Sequence, residues 1–289
     1  MKLSMRLFTA AAIAAAGFTT CGTALAGLIN DVPSCYAATH IAQDGPSYDK
    51  LVYVLLDQTV QLDPALEQSV VDNSLRLLQP GSKFVIAEFS AFAQGHYLNV
   101  LHTGIIERPL AAARVDSTPM RAARRLQQCL GMQADFARKM VATTLASVMK
   151  ASTSSLDRSD VLLALKTVSR VVQTDPAARK TVFVVTDGLE NSTVTSFYAR
   201  DAVRDIDPKV ELAKAETAHM VGNFGRASVY VLGGAMMPPA AGGTLAERDG
   251  YRDPKTLSDL KNFWRAYFAK SNARLVEFGE PALLEPIAY

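Results

Sequence analysis

Two apolar runs in this chain each end in an aspartate: Leu51-Val52-Tyr53-Val54-Leu55-Leu56-Asp57 and Val182-Phe183-Val184-Val185-Thr186-Asp187-Gly188. Unbroken apolar stretches of this kind suit parallel strands that are covered by helices on both faces. In an open α/β sheet, ligands sit beyond the carboxyl ends of the strands, where the strand order reverses. Asp57 and Asp187 are therefore candidate site residues, above all for a cation.

The segments between and around these runs alternate in character. Asp63 and Pro64 suit the cap and first position of a helix carrying Leu66, Val70, Val71, Leu75 and Leu78, which Pro80-Gly81 stops. Lys83–Phe89 and Tyr97–Leu101 read as two further strands. Their connection is too short for a parallel crossover, so they are expected to pair antiparallel. Residues 107–125, with five arginines near Pro109 and Pro119, read as a basic solvated loop before a long helix from Ala134 to Lys150. Asp157-Arg158-Ser159-Asp160 opens the next helix, whose stripe is Leu162, Leu165, Val168 and Val172. Residues 197–224 read as mainly helical, Ala227–Gly234 as a strand, and 236–253 as a long loop. A helix from Leu257 to Lys270 places Leu260, Phe263, Trp264, Tyr267 and Phe268 on one side, a core stripe, before a last strand at Ala273–Gly279.

Strands alternating with helices predict one doubly wound α/β domain over 50–289. Its sheet should hold six strands, mostly parallel, with one antiparallel edge strand. An arm, 27–49, precedes it. At 49% hydrophobic the chain can bury one sizeable core. GxGxxG, GxxxxGK[ST], HExxH and GxSxG are all absent, which argues against dinucleotide, P-loop, zincin and nucleophile-elbow chemistry. His40, His96, His102 and His219 are scattered without ligand spacing.

Residues 1–26 have the form of a signal peptide. Lys2 and Arg6 precede the short apolar stretch Leu7–Gly17, and Ala24-Leu25-Ala26 gives a small-x-small cleavage pattern. The expected location is periplasmic or secreted. Cys21 raises the alternative of a lipid anchor, but Phe18-Thr19-Thr20 lacks the leucine expected before a lipidated cysteine. Cleavage removes Lys2 and Arg6 and leaves 28 basic and 28 acidic residues. No charge run points to nucleic acid, and no later segment points to membrane insertion. Cys35 and Cys129 remain, and a lone pair in an oxidising compartment commonly forms a disulfide. It would staple the arm to the body.

Asp57-Gln58-Thr59-Val60-Gln61 resembles the Asp-x-Ser-x-Ser motif of von Willebrand factor type A domains. Arg158-Ser159-Asp160-Val161 resembles the loop that carries their metal-binding threonine, and Thr186-Asp187-Gly188 their Thr/Ser-Asp-Gly strand end. The order and spacing agree over about residues 50–280. Phe263–Phe268 and Glu190-Asn191-Ser192 further resemble uncharacterised bacterial proteins of this fold. The resemblance implies a Rossmann-like sheet with one divalent cation, usually Mg2+, at its top, often completed by an Asp or Glu of a protein partner. Carried over by position, Asp57, Thr59 and Ser159 would be ligands, with Asp187 binding directly or through water. Gln61 stands where the second serine would be; its amide oxygen is a legitimate ligand but reaches two carbons further. Magnesium suits such oxygen donors. The expectation is an exported, non-enzymatic interaction or assembly module. The alternatives are a structural subunit without metal and a Mg2+-dependent hydrolase using Asp57 and Asp187.

Overall fold

The computed structural model describes residues 30–43, 45–90, 98–153, 159–199, 202–236 and 254–289. In chain order these form α1 (Cys35–Thr39), β1 (Lys50–Asp57), α2 (Pro64–Leu77), β2 (Ser82–Phe89), β3 (Asn99–Ile106), α3 (Ala112–Val115) and α4 (Met120–Ala151). Then follow α5 (Val161–Thr174), β4 (Arg179–Val185), β5 (Tyr198–Ala199), β6 (Ala202–Val203), α6 (Pro208–Thr217), β7 (Ala227–Leu232), α7 (Pro254–Lys270) and β8 (Ala273–Phe278). Six of the strands make one sheet in the order β3-β2-β1-β4-β7-β8. Every pair is parallel except β2–β3. This is the doubly wound α/β sheet with an antiparallel edge strand that the sequence predicts.

Period-2 alternation explains why β1 is apolar throughout. Leu51, Tyr53 and Leu55 join one core with α5 and the α7 residues Leu260, Phe263, Trp264, Tyr267 and Phe268. Val52, Val54 and Leu56 join the other, with Leu66, Val70 and Leu77 of α2 and Ala137, Val141 and Leu145 of α4. A strand buried on both faces has no position for a polar side chain until it leaves the sheet. Helix α2 starts where expected: Asp63 Oδ1 accepts the Leu66 N–H at 2.8 Å and Pro64 takes the first helical position.

Two assignments differ from the sequence reading. Helix α4 begins at Met120, not near Ala134, so the stretch read as a basic loop ends in helix. Alanine and arginine are strong helix formers even where no apolar stripe marks the pattern. The described residues of the region 197–224 hold one helix, α6, and the short β5–β6 pair. Its helix starts where Asp207 accepts the N–H groups of Lys209 and Val210 and Pro208 follows.

The arm covers the outer edge of β3. Asp31 N–H donates to the Thr103 carbonyl at 2.8 Å, and Thr103 N–H returns to Asp31 Oδ2 at 3.0 Å. Cys35 is bonded to Cys129 of α4 across 94 residues. Beside it, Glu107 accepts the Cys35 N–H, and Gln133 donates to the Pro33 carbonyl. An edge covered in this way cannot template further strand pairing. The expected signal peptide and the loop 237–253 lie outside the described residues. No described helix is long and apolar enough to cross a membrane.

Candidate functional site

Strand order reverses between β1 and β4: the chain leaves β1 toward β2 on one side and returns through β4 on the other. Leu56 of β1 lies opposite Val185 of β4, which brings the next residues, Asp57 and Thr186, side by side at the carboxyl end. Asp187 follows directly. The two aspartates read from the sequence thus sit on adjoining strand ends, at the switch point where this fold class opens a crevice.

Asp57 is the centre of the cluster and is 2% exposed. Its Oδ1 accepts from the Thr59 backbone N–H at 3.0 Å and from the Thr59 hydroxyl at 2.7 Å. Its Oδ2 accepts from the Ser159 hydroxyl at 3.0 Å and from the Thr186 hydroxyl at 2.8 Å. Three segments far apart in sequence therefore converge on one carboxylate. Burial pushes the Asp57 carboxyl above its usual range, and the donors from Thr59, Thr186 and Ser159 pull against that rise. Asp57 forms no ion pair among the described residues, so any charge on it is met there by hydroxyls and one amide alone.

The loop after β4 is held from several directions. Asp187 Oδ1 accepts the Leu189 N–H at 2.8 Å, and the Asp187 carbonyl accepts the Ala235 N–H at 2.7 Å. Gly188 adopts φ +71°, a conformation that favours glycine, and its carbonyl takes the Trp264 indole N–H at 2.9 Å. A Cβ at Gly188 would stand 2.8 Å from that indole nitrogen. Asn191 N–H donates to the Ser159 carbonyl at 3.0 Å, joining this loop to the start of α5. Glu190, 1% exposed, turns inward and accepts the Leu162 N–H at 2.9 Å, while its Oε1 has no hydrogen-bond partner. Burial pushes its carboxyl up to about 8; Asp160 adds to the rise, and the Ser192 hydroxyl and the Leu162 and Val161 amides oppose it.

The structure brings together Asp57, Thr59 and Ser159, with Asp187 on the neighbouring strand end. Gln61 goes elsewhere: its Nε2 donates to the Ser152 carbonyl at the C-terminal end of α4, 3.3 Å away. Its long side chain reaches a helix end that a serine could not, and it makes no hydrogen bond to Asp57 among the described residues. Sequence reasoning missed two residues, Thr186 as a partner of Asp57 and Glu190 as an inward brace. Residues 154–158, the start of the Ser159 loop, lie outside the described residues.

The donor set fits a hard divalent ion in kind. The hydroxyls of Thr59 and Ser159 give their protons to Asp57 and keep oxygen lone pairs, and Asp57 and Asp187 are carboxylates. Among the described residues no group of three or more His, Cys, Asp and Glu side chains is placed to hold a metal. An ion here would depend on hydroxyl oxygens beside carboxylates.

The chain matches no protein-family model and no curated protein. Among solved structures it is similar to an aerotolerance-related membrane protein from Bacteroides fragilis, at 12% identity and a TM-score of 0.36, covering 80% of this chain and 92% of that one. It is also similar to the PilB minor pilin from Streptococcus sanguinis, at 10% identity and a TM-score of 0.40, covering 82% of this chain and 58% of that one. A third is the conserved hypothetical protein BatB from Bacteroides thetaiotaomicron, at 14% identity and a TM-score of 0.33, covering 78% and 89%. Likeness at this level bears on neither ligand nor function.

Proposed function

We propose that this chain is an exported protein-interaction or assembly module whose partner surface is the carboxyl end of the sheet, around Asp57, Thr59, Ser159 and Asp187. The observation that carries this reading is the buried Asp57 carboxylate at the switch point, which three hydroxyls surround and no described cation neutralises. A buried carboxylate without a counter-charge is costly. A divalent ion, Mg2+ by its preference for oxygen donors, would relieve that cost. It would be held by Asp57, Thr59, Ser159 and Asp187, without Gln61, and would present an electrophilic face to an Asp or Glu of a partner. Loops on a rigid sheet are where such binding resides.

One observation favours a second reading, a metal-free structural module. The four hydrogen bonds to Asp57 already occupy both of its oxygens, and Gln61 is bonded to α4. Hydrolysis finds less support. The other carboxyl raised by burial, Glu190, faces the Leu162 amide inside the protein and offers no base to a substrate.

Partner capture tests the proposal. The immobilised wild-type chain and Asp187→Ala are exposed to the exported fraction of the native host, in Mg2+ or in chelator. The proposal expects a partner retained by the wild type in Mg2+ and lost in both other conditions. Equal retention by Asp187→Ala contradicts it.

A further inference from the structure

Helix α4 is longer than the sheet it packs on. Its 32 residues extend about 48 Å, against about 26 Å for an eight-residue strand. Its C-terminal end stands beside the candidate site, where the Ser152 carbonyl accepts from Gln61. Ala137, Val141 and Leu145 enter the core over β1 and β2. Toward the N-terminus the contacts change: Leu126 packs with Cys35 and Tyr36 of α1, and the disulfide ties Cys129 to the same segment.

One stripe along this part of α4 is open to solvent. Arg121, Arg125, Cys129, Met132, Phe136 and Lys139 follow one another at spacings of three or four, so they share a face over about 27 Å. Met132 is 59% exposed and Phe136 50%. With Pro33, Cys35, Cys129 and Gln133 these two line an open apolar cleft of about 200 Å3 between the arm and the helix. Cys35 stands on one wall and Cys129 on the other, and their bond holds the walls together. Arg121 and Arg125 at one end of the stripe and Lys139 at the other are exposed and form no ion pair among the described residues. The single carboxylate of residues 120–140, Asp135, lies off the stripe, 3.9 Å from Arg138.

We propose that this stripe docks an amphipathic helix of a partner protein, with apolar anchors at its middle and acidic side chains toward both ends. A side chain projecting from a helix can enter the cleft, as in other helix-in-groove contacts. A plane of lipid headgroups has nothing of that shape to insert. Met132 and Phe136 are suited to the contact, since methionine, phenylalanine and arginine are enriched at interfaces. Charge selects the occupant: two guanidinium groups at one end and an ammonium at the other call for carboxylates. Charge also rejects a second copy of this chain. Self-pairing of the stripe sets Arg121 against Lys139 if antiparallel and against Arg121 if parallel, cation against cation either way. The surface lies away from the Ser152 end of α4 and stands independently of the function proposed around Asp57.

The test is selection from a displayed library of helical peptides, about 18 residues long to span the stripe, on the immobilised whole chain. The enriched peptides should carry Asp or Glu toward both ends and large apolar residues at i, i+3 and i+4 between them. One of these, synthesised and labelled, should bind in fluorescence anisotropy with an affinity that falls as salt rises. Met132→Glu/Phe136→Glu and Arg121→Glu/Arg125→Glu should each lose at least tenfold, with circular dichroism and melting unchanged. Lys209→Glu, exposed on α6, should bind as the wild type does. No enrichment, enriched peptides without acidic ends, or unchanged affinity in either double variant overturns the proposal. So does tighter binding of the wild type to anionic phospholipid vesicles than to the peptide. Self-association in sedimentation that Met132→Glu/Phe136→Glu abolishes overturns it as well.

Discussion

Glu190 Oε2 accepts the Leu162 backbone N–H at 2.9 Å, and this bond fastens the loop after β4 to the first turn of α5. It satisfies one of the N–H groups that a helix start leaves without an internal partner. The loop it steadies carries Asp187, and the helix it caps follows Ser159.

That placement makes stability fall as pH rises. Burial lifts the Glu190 carboxyl from its ordinary 4.5 to about 8 in the folded chain. The folded state therefore holds a proton that the unfolded state has released between those values. The associated stability is fully present below about 4.5 and is lost as pH climbs through about 8. Asp57, raised in the same direction, adds a contribution of the same sign. Thermal melts from pH 5 to 9 should show a declining midpoint for the wild type and a flatter profile for Glu190→Gln. Parallel profiles would show that Glu190 is not the titrating group.

Gly188 should be intolerant of a side chain. Its φ of +71° costs an ordinary residue about 1–2 kcal/mol, and the added Cβ would meet the Trp264 indole nitrogen at 2.8 Å. Gly188→Ala is expected to lower stability by about 2 kcal/mol or more in urea unfolding. Trp264 is the only tryptophan, so its emission reports any displacement directly. Wild-type stability with unshifted emission would contradict this.

The Cys35–Cys129 bond closes a long loop, for which the chain-entropy model gives about 4–5 kcal/mol. The arm is also held by the Glu107, Gln133 and Thr103 hydrogen bonds, so the variant should remain folded. Cys35→Ser/Cys129→Ser is expected to lose a few kcal/mol in urea unfolding, with the α/β circular dichroism spectrum retained. A loss under about 0.5 kcal/mol, within the spread of ordinary surface substitutions, would contradict the staple.

The fold was legible where burial on both faces left one kind of residue, as in β1 and β4, and where Asp63-Pro64 spelled a helix start. Helix α4 was legible only in its second half, because its first turns reach α1 through Leu126 and Cys129 and show no long apolar stripe. The candidate site was readable as motifs at Asp57, Thr59, Ser159 and Asp187. Thr186 was legible only as part of the Thr186-Asp187-Gly188 motif: it directly follows β4, and it is the pairing of Leu56 with Val185 that places its hydroxyl on Asp57. For Gln61, spacing alone could not show that its amide nitrogen is bonded to the Ser152 carbonyl.

Calorimetric titration of Mg2+ into the whole chain tests the central claim most directly. The account predicts saturable binding of one ion per chain, abolished in Asp57→Ala and Asp187→Ala and retained in Gln61→Ala. A wild-type chain that takes up no Mg2+, or Asp57→Ala and Asp187→Ala variants that bind it as well as the wild type, would contradict it.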